Sequence, residues 1–146
     1  MHQAEITFRP ANQDDMPFLL ELRQATMNPH FVASGLVPSR DEHERRILFR
    51  FDCAQIVQLA GEAVGLLKVA RDGTDWHLIQ VQLKPAWQGQ GLGAQLIQSV
   101  VNEARNAGAS LRLNVLKANP ALRLYARLGF FVVEEAAHAY EMQLRA

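Results

Sequence analysis

The sequence has a single cysteine, Cys53, among its 146 residues. One thiol excludes an internal disulfide and any multi-cysteine zinc or iron–sulfur site, and it suits a reducing compartment. No apolar run approaches the roughly 18 residues that a membrane helix needs, and Met1-His2-Gln3-Ala4-Glu5 lacks the basic stretch and apolar core of a signal peptide. A cytoplasmic protein is expected. There is no excess of either charge: Lys plus Arg and Asp plus Glu number 15 each, so no overall field draws the chain to nucleic acid or an anionic membrane. Any anion it binds must be held by a local site. Repeats, low-complexity tracts and linker-like stretches are also missing. With 49% apolar and 21% charged residues the composition is that of an ordinary globular chain, and the length predicts a single domain over residues 1–146.

Residues 4–9 alternate apolar Ala4, Ile6 and Phe8 with Glu5, Thr7 and Arg9, the period of a strand with one buried face. Pro10 closes it. Acidic residues and then Met16, Leu19, Leu20 and Leu22 at helical spacing predict a helix from Asp14 to Met27. Ser39 and Glu42 stand as a capping box opening a second helix to about Phe51. Between the two, residues 28–38 show apolar and aromatic side chains without periodicity, which predicts a loop suited to closing over a ligand. Three strand-like runs follow, Ala54 to Ala60, Ala63 to Arg71 and Thr74 to Leu83, separated by Gly61-Glu62 and Asp72-Gly73. Two-residue turns with glycine predict an antiparallel meander.

The pattern then changes to helix, strand, helix, strand. From Gly91 to Asn106, Leu92, Leu96, Ile97, Val100, Val101 and Ala104 share one helical face, and Gly108 is placed to end the helix. Leu111, Leu113 and Val115 alternate in the next strand. Asn119-Pro120 gives a cap residue with proline at the first helical position, Gly129 ends a short helix, and residues 130–134 and 139–144 read as a closing pair of strands. The fold class is therefore mixed α/β, antiparallel strands followed by strand, helix, strand, helix and strand, with helices on both faces.

The junction Gln88-Gly89-Gln90-Gly91-Leu92-Gly93 joins the long strand to the amphipathic helix and carries the strongest signal in the chain. Its glycines let the backbone approach a ligand, and the orphan N–H groups and positive dipole end of the helix attract an oxyanion. A diphosphate is the natural occupant. A glycine-rich turn without a ligand has the same appearance, and Gly89-x-Gly91-x-x-Ala94 also satisfies a loose dinucleotide-binding fingerprint. That fingerprint wants an acidic residue at the end of the next strand, where Leu116-Lys117 stand, and it opens a βαβ series, whereas a meander precedes it here.

These residues resemble the GNAT superfamily of acyl-CoA-dependent N-acyltransferases. Gln88 to Gly93 matches the family's Q/R-x-x-G-x-G/A motif, and the resemblance runs from Arg9-Pro10-Ala11 and Asp14-Asp15 to Asn119, Tyr125 and Gly129-Phe130. It implies a GNAT-like fold and an N-acetyltransferase moving an acetyl group from acetyl-CoA to a primary amine of a small molecule or protein. It implies that N–H groups of Gln88, Gly89, Gln90, Gly91, Leu92, Gly93 and Ala94 hold the coenzyme pyrophosphate, with Val81 and Leu83 lining the pantetheine arm. Asn119 is a helix cap or a contact to that arm, and a dimer through the C-terminal strands is in the family's habit. No metal is called for.

Acyl transfer from a thioester needs a neutral amine, a polarised carbonyl and a proton for the thiolate. The resemblance assigns the carbonyl to a backbone N–H near Leu83 and the proton to Tyr125, which by spacing alone is equally a core aromatic beside Leu122 and Leu128. Many relatives carry a glutamate base on the long strand, and none stands here. His77 is the titratable residue of that strand near neutrality, and strict alternation puts it on the face of Ile79, Val81 and Leu83. A base acting directly or through water is expected there, although a histidine at a strand start is also a common structural residue. Arg23, Thr26, His30 and Trp76 fall where they can shape an acceptor pocket, with Arg23 equally a solvated helix residue and Trp76 a core anchor. Cys53 has no sequence neighbour that activates a thiolate, so a buried structural thiol is expected rather than an acyl carrier. A coenzyme-A-binding sensor without catalysis is the rival function.

Overall fold

A computed structural model describes residues 5–36 and 38–145, and within α1 the side chains of Asn28 and His30 fall outside the description. Ala4, the first residue of the expected opening strand, also lies outside it. The elements are β1 (Ile6–Pro10), α1 (Met16–Ala33), α2 (Arg40–Leu48), β2 (Ala54–Leu59), β3 (Glu62–Asp72), β4 (Asp75–Leu83), α3 (Leu92–Asn106), β5 (Ser110–Leu116), α4 (Ala121–Arg127), β6 (Phe130–Glu135) and β7 (Ala139–Leu144). The strands form one seven-stranded sheet in the order β1-β2-β3-β4-β5-β7-β6. Every pairing is antiparallel except β4 with β5.

Helices cover both faces. On one, the six apolar positions of α3 pack with Tyr125 of α4 against Leu67, Val69, Trp76, Leu78 and Leu113, and each large side chain so buried contributes about 1.5–3 kcal/mol. On the other, Leu19, Leu20 and Leu22 of α1 and Ile47 of α2 cover Ala54, Ile56 and Leu66. Lys68 reaches through this second layer, wholly buried, and its Nζ donates to the carbonyls of Arg46, Ile47 and Phe49 at 3.2, 2.8 and 2.6 Å. The first two are last-turn carbonyls of α2 and the third belongs to its C-cap residue, so the ammonium both caps the helix and fixes it to the sheet. The helix accordingly stops at Leu48, short of the expected Phe51.

Several boundaries differ from the sequence reading for identifiable reasons. The first helix starts at Met16, because Asp14 and Asp15 sit in a preceding single turn of 3-10 helix capped by Asn12. It continues through Pro29 to Ala33, so the expected loop at 28–38 is helical over its first half. Proline removes one hydrogen bond and the helix carries on across the gap. The hairpin turns are each displaced by one residue. Ala60 and Gly61, at φ 52° and 82°, make the first, and Gly73, at φ 57°, leads the second.

Asp15 ties β1 to α1. It is 8% exposed and accepts from Arg9 Nη1 and Nη2 at 2.9 and 2.8 Å and from the Asn12 N–H at 2.8 Å. The Arg9 hydrogen bonds hold its carboxyl below the usual range. Asp15→Asn is expected to cost about 1–3 kcal/mol of stability. Because the folded pKa is depressed, this contribution is present above the unfolded carboxyl value of about 3.9 and is lost as the pH falls through the folded value. Urea midpoints should therefore differ at pH 7 and converge in acid.

Candidate active site

β4 and β5 are paired only over Asp75–Leu78 with Ser110–Leu113. Beyond that the two parallel strands part, and a cleft of about 510 Å³ opens between them. The divergence begins at a bulge: Lys68 faces Gln80 but Val69 faces Leu78, which leaves Ile79 as an extra residue in β4. Backbone direction alternates along a strand. Lys84 N–H donates to Val64 O at 2.8 Å, towards β3. By alternation the N–H groups of Val81 and Leu83 then point the other way, into the gap.

The bulge also reverses side-chain faces, which corrects the placement of His77. Trp76, Leu78 and Leu83 share the α3 core, with Val81 packed against it. His77 consequently faces the other layer, with Gln80 and Gln82, and not the face of Val81 and Leu83. It remains a wall of the cleft, as do Val81, Asn119 and Tyr125. Burial, seconded by the Arg112 guanidinium, pushes the His77 pKa below its ordinary value despite Glu141 and Asp75, so the imidazole is neutral near pH 7.

Tyr125 is 7% exposed, edge-on to Phe130 at 5.8 Å between ring centroids, and burial pushes its pKa up to about 12. It is therefore both a core aromatic and a protonated phenol at the cleft. Asn119 Oδ1 accepts from Ala121 N–H at 2.9 Å, the expected cap, while the residue lines the cleft as well.

The glycine turn closes against the end of β4. Gln88 Nε2 donates to Leu83 O at 2.9 Å, and Gln90 Nε2 to Ala86 O at 3.0 Å, so both side chains serve the turn's own shape. Gly89 and Gly91 sit at φ 75° and 82°, where an L side chain is strained, and a Cβ on either would meet nothing within 4 Å. The open side is thus left to backbone. Gly91 caps α3 without a side-chain hydrogen bond, and Gln95 is the first residue whose N–H bonds back into the turn, to Gly91 O. The N–H groups from Gly89 to Ala94 have no protein acceptor among the described residues, whereas that of Gln88 is spent on Pro85 O at 3.2 Å. The expected cradle is therefore one group shorter at its start. A Cβ at Gly93 would lie 3.7 Å from Leu83 Cδ1, ordinary contact, so close packing of helix on strand does not depend on that glycine.

The residues expected to shape an acceptor pocket divide. Arg23 is 5% exposed and walls the cleft. Thr26 spends its hydroxyl on Leu22 O, 2.8 Å away in its own helix. Trp76 lies in the α3 core with Nε1 donating to Gly73 O, so it anchors the sheet and shapes no acceptor pocket. The side chain of His30 lies outside the described residues. Cys53 is half-buried, not buried, and burial together with Asp52 raises its pKa, which disfavours a nucleophilic thiolate. Sequence reasoning missed Arg46, Glu134 and Glu141, which also wall the cleft. Glu134 and Glu141 are cross-strand partners on the His77 side of the sheet, and no local signal in β6 or β7 reveals that they return beside β5.

The acetyltransferase (GNAT) domain model matches residues 39–141. The chain belongs to the GNAT acetyltransferase family. Solved structures agree with it over nearly their full length. PaiA N-acetyltransferase from Thermoplasma acidophilum, in complex with coenzyme A, is 16% identical with a TM-score of 0.74, over 97% of this chain and 99% of that one. An acetyltransferase from Thermus thermophilus is 22% identical with a TM-score of 0.74, over 98% of each chain. The ribosomal-protein-S18-alanine N-acetyltransferase from Escherichia coli is 19% identical with a TM-score of 0.69, over 96% of this chain and 93% of that one. No functionally curated sequence is significantly similar to the chain. Among the described residues, no helix of this GNAT protein is long and apolar enough to cross a membrane.

Proposed function

We propose that this GNAT protein transfers an acetyl group from acetyl-CoA directly to a primary amine. The observation that carries the reading is the run of unpartnered N–H groups from Gly89 to Ala94 at the head of α3, held against the end of β4 where the sheet splits. Those donors and the helix dipole suit the coenzyme pyrophosphate. The gap-facing N–H groups of Val81 and Leu83 suit the pantetheine arm and the thioester carbonyl, with Asn119 beside the same arm.

The amine nitrogen attacks the carbonyl carbon, which forms the N–C bond and an oxyanion held by a β4 N–H, and collapse re-forms the C=O as the C–S bond breaks. Tyr125 gives its proton to the departing sulfur. His77 takes the proton released by the amine. It stands four residues from Val81, on the order of 13 Å along an extended strand, so the transfer runs through water.

The lowered His77 pKa makes a pH prediction. kcat/KM should rise as His77 deprotonates, with an apparent pKa below its ordinary 6.5, and level off above it. His77→Ala should remove that limb and lower kcat about a hundredfold. Thiol release from pH 5 to 9, at subsaturating amine for kcat/KM and at saturating amine for kcat, checks both, and full turnover of the variant across that range would take the base role from His77.

A further inference from the structure

The floor of the acceptor side of the cleft is charged in a way that acetyl transfer does not require. Arg23 of α1 is buried, and its Nε donates to His43 Nδ1 at 3.1 Å. Its terminal Nη groups have no carboxylate or carbonyl partner among the described residues. Its strongest charged neighbour is another cation, Arg46, and burial and that repulsion bring the Arg23 pKa down to about 10. Arg46 walls the same cleft, also without an ion pair among the described residues. A buried guanidinium with a like charge beside it and no anion is costly, and an anion brought by a ligand offsets that cost. The opposite wall has the reverse character. Glu141 and Glu134 stand there. Between the two, Gln80 and Gln82 each bury an Oε1 that lacks a donor among the described residues.

We infer that the acceptor is an amino acid or another small primary amine that carries a carboxylate, with the carboxylate on the Arg23 and Arg46 side of the cleft and the amine on the Glu141 and Glu134 side. A plain amine matches the acidic wall alone and leaves Arg23, held by His43 and the Phe31 ring, without an anion, whereas an amino-carboxylate matches both walls. The cleft volume of about 510 Å³ is that of a small-molecule site. This inference rests on the acetyltransferase reading and narrows its acceptor class.

The test is steady-state thiol release from acetyl-CoA by the full chain, with free amino acids and ω-amino acids, each paired with its carboxamide and its decarboxylated amine. At least one free acid should exceed its carboxamide in kcat/KM by about tenfold to a hundredfold, the worth of a charge-assisted hydrogen bond. Arg23→Met should collapse that ratio through KM, and Arg23→Lys should restore part of it. Calorimetric titration of the variants with acetyl-CoA establishes that they fold, and Arg46→Gln, at an exposed position, should lower the ratio in the same direction if Arg23→Met does not fold. Equal use of acids and carboxamides, or a ratio unchanged in folded Arg23 variants, overturns the inference. So does a preference for amines bearing phosphate, or turnover confined to peptide amines. Absence of acetyl-CoA binding by the unaltered chain would instead remove the acetyltransferase reading on which it stands.

Discussion

Replacement of Tyr125 by phenylalanine is expected to lower kcat about a hundredfold while changing acetyl-CoA affinity little. The phenol reaches the cleft with its ring fixed by the α3-side core and by Phe130. Phenylalanine keeps that packing and removes only the proton donor. The thiolate that must leave has an acid pKa of about 8.5, against about 12 for the buried phenol, so proton transfer is concerted with C–S cleavage and depends on the hydroxyl's position. Among the described residues the hydroxyl makes no hydrogen bond that the substitution would lose, and the melting temperature should move little. Single-turnover rates beside binding isotherms separate the two effects. A Tyr125→Phe enzyme with ordinary kcat would return the residue to a purely structural role.

Gly91→Glu is expected to abolish acetyl-CoA binding. The residue sits at φ 82°, where any side chain costs on the order of 1–2 kcal/mol, and it is the N-cap of α3. The larger effect is electrostatic. A carboxylate at the mouth of the unpartnered N–H groups competes for them intramolecularly and repels a diphosphate. The core beneath is untouched, since a Cβ at this position meets nothing within 4 Å. Gly91→Ala supplies the strain without the charge, so its affinity should fall between the two. Calorimetry on all three proteins reads the order directly, and equal losses from Ala and Glu would mean that backbone shape alone matters.

Local periodicity carries the elements whose partners are close in sequence. The α3 face is the clearest case, since all six apolar positions read from the 3.6-residue spacing are buried. The β2-β3-β4 meander follows from alternation and two glycine turns, and its turn positions slip by one residue because strand ends and I′ or II′ turns share the same glycine. The lack of apolar periodicity after Met27 ends the expected first helix there, yet α1 runs on through Pro29 to Ala33. The site divides along the same line. The glycine turn is one contiguous segment, and its run from strand to helix is legible in the sequence, whereas the partner of the Gln88 N–H, Pro85 O, needs the 3-10 turn to be known. The walls of the cleft are assembled from α1, α2, β4, β5, β6 and β7. Strict alternation assigns His77 to the wrong face because a bulge at Ile79, set by pairing with β3, interrupts it. Arg46 and Glu141 reach the cleft only through helix packing and the return of β7 beside β5.

The account rests on what the turn from Gly89 to Ala94 binds, and calorimetric titration of the purified chain with acetyl-CoA, coenzyme A and NADH in parallel tests it most directly. Micromolar binding of acetyl-CoA and coenzyme A, with none of NADH, is the predicted result. Absence of coenzyme A binding, with or without NADH binding, would contradict it.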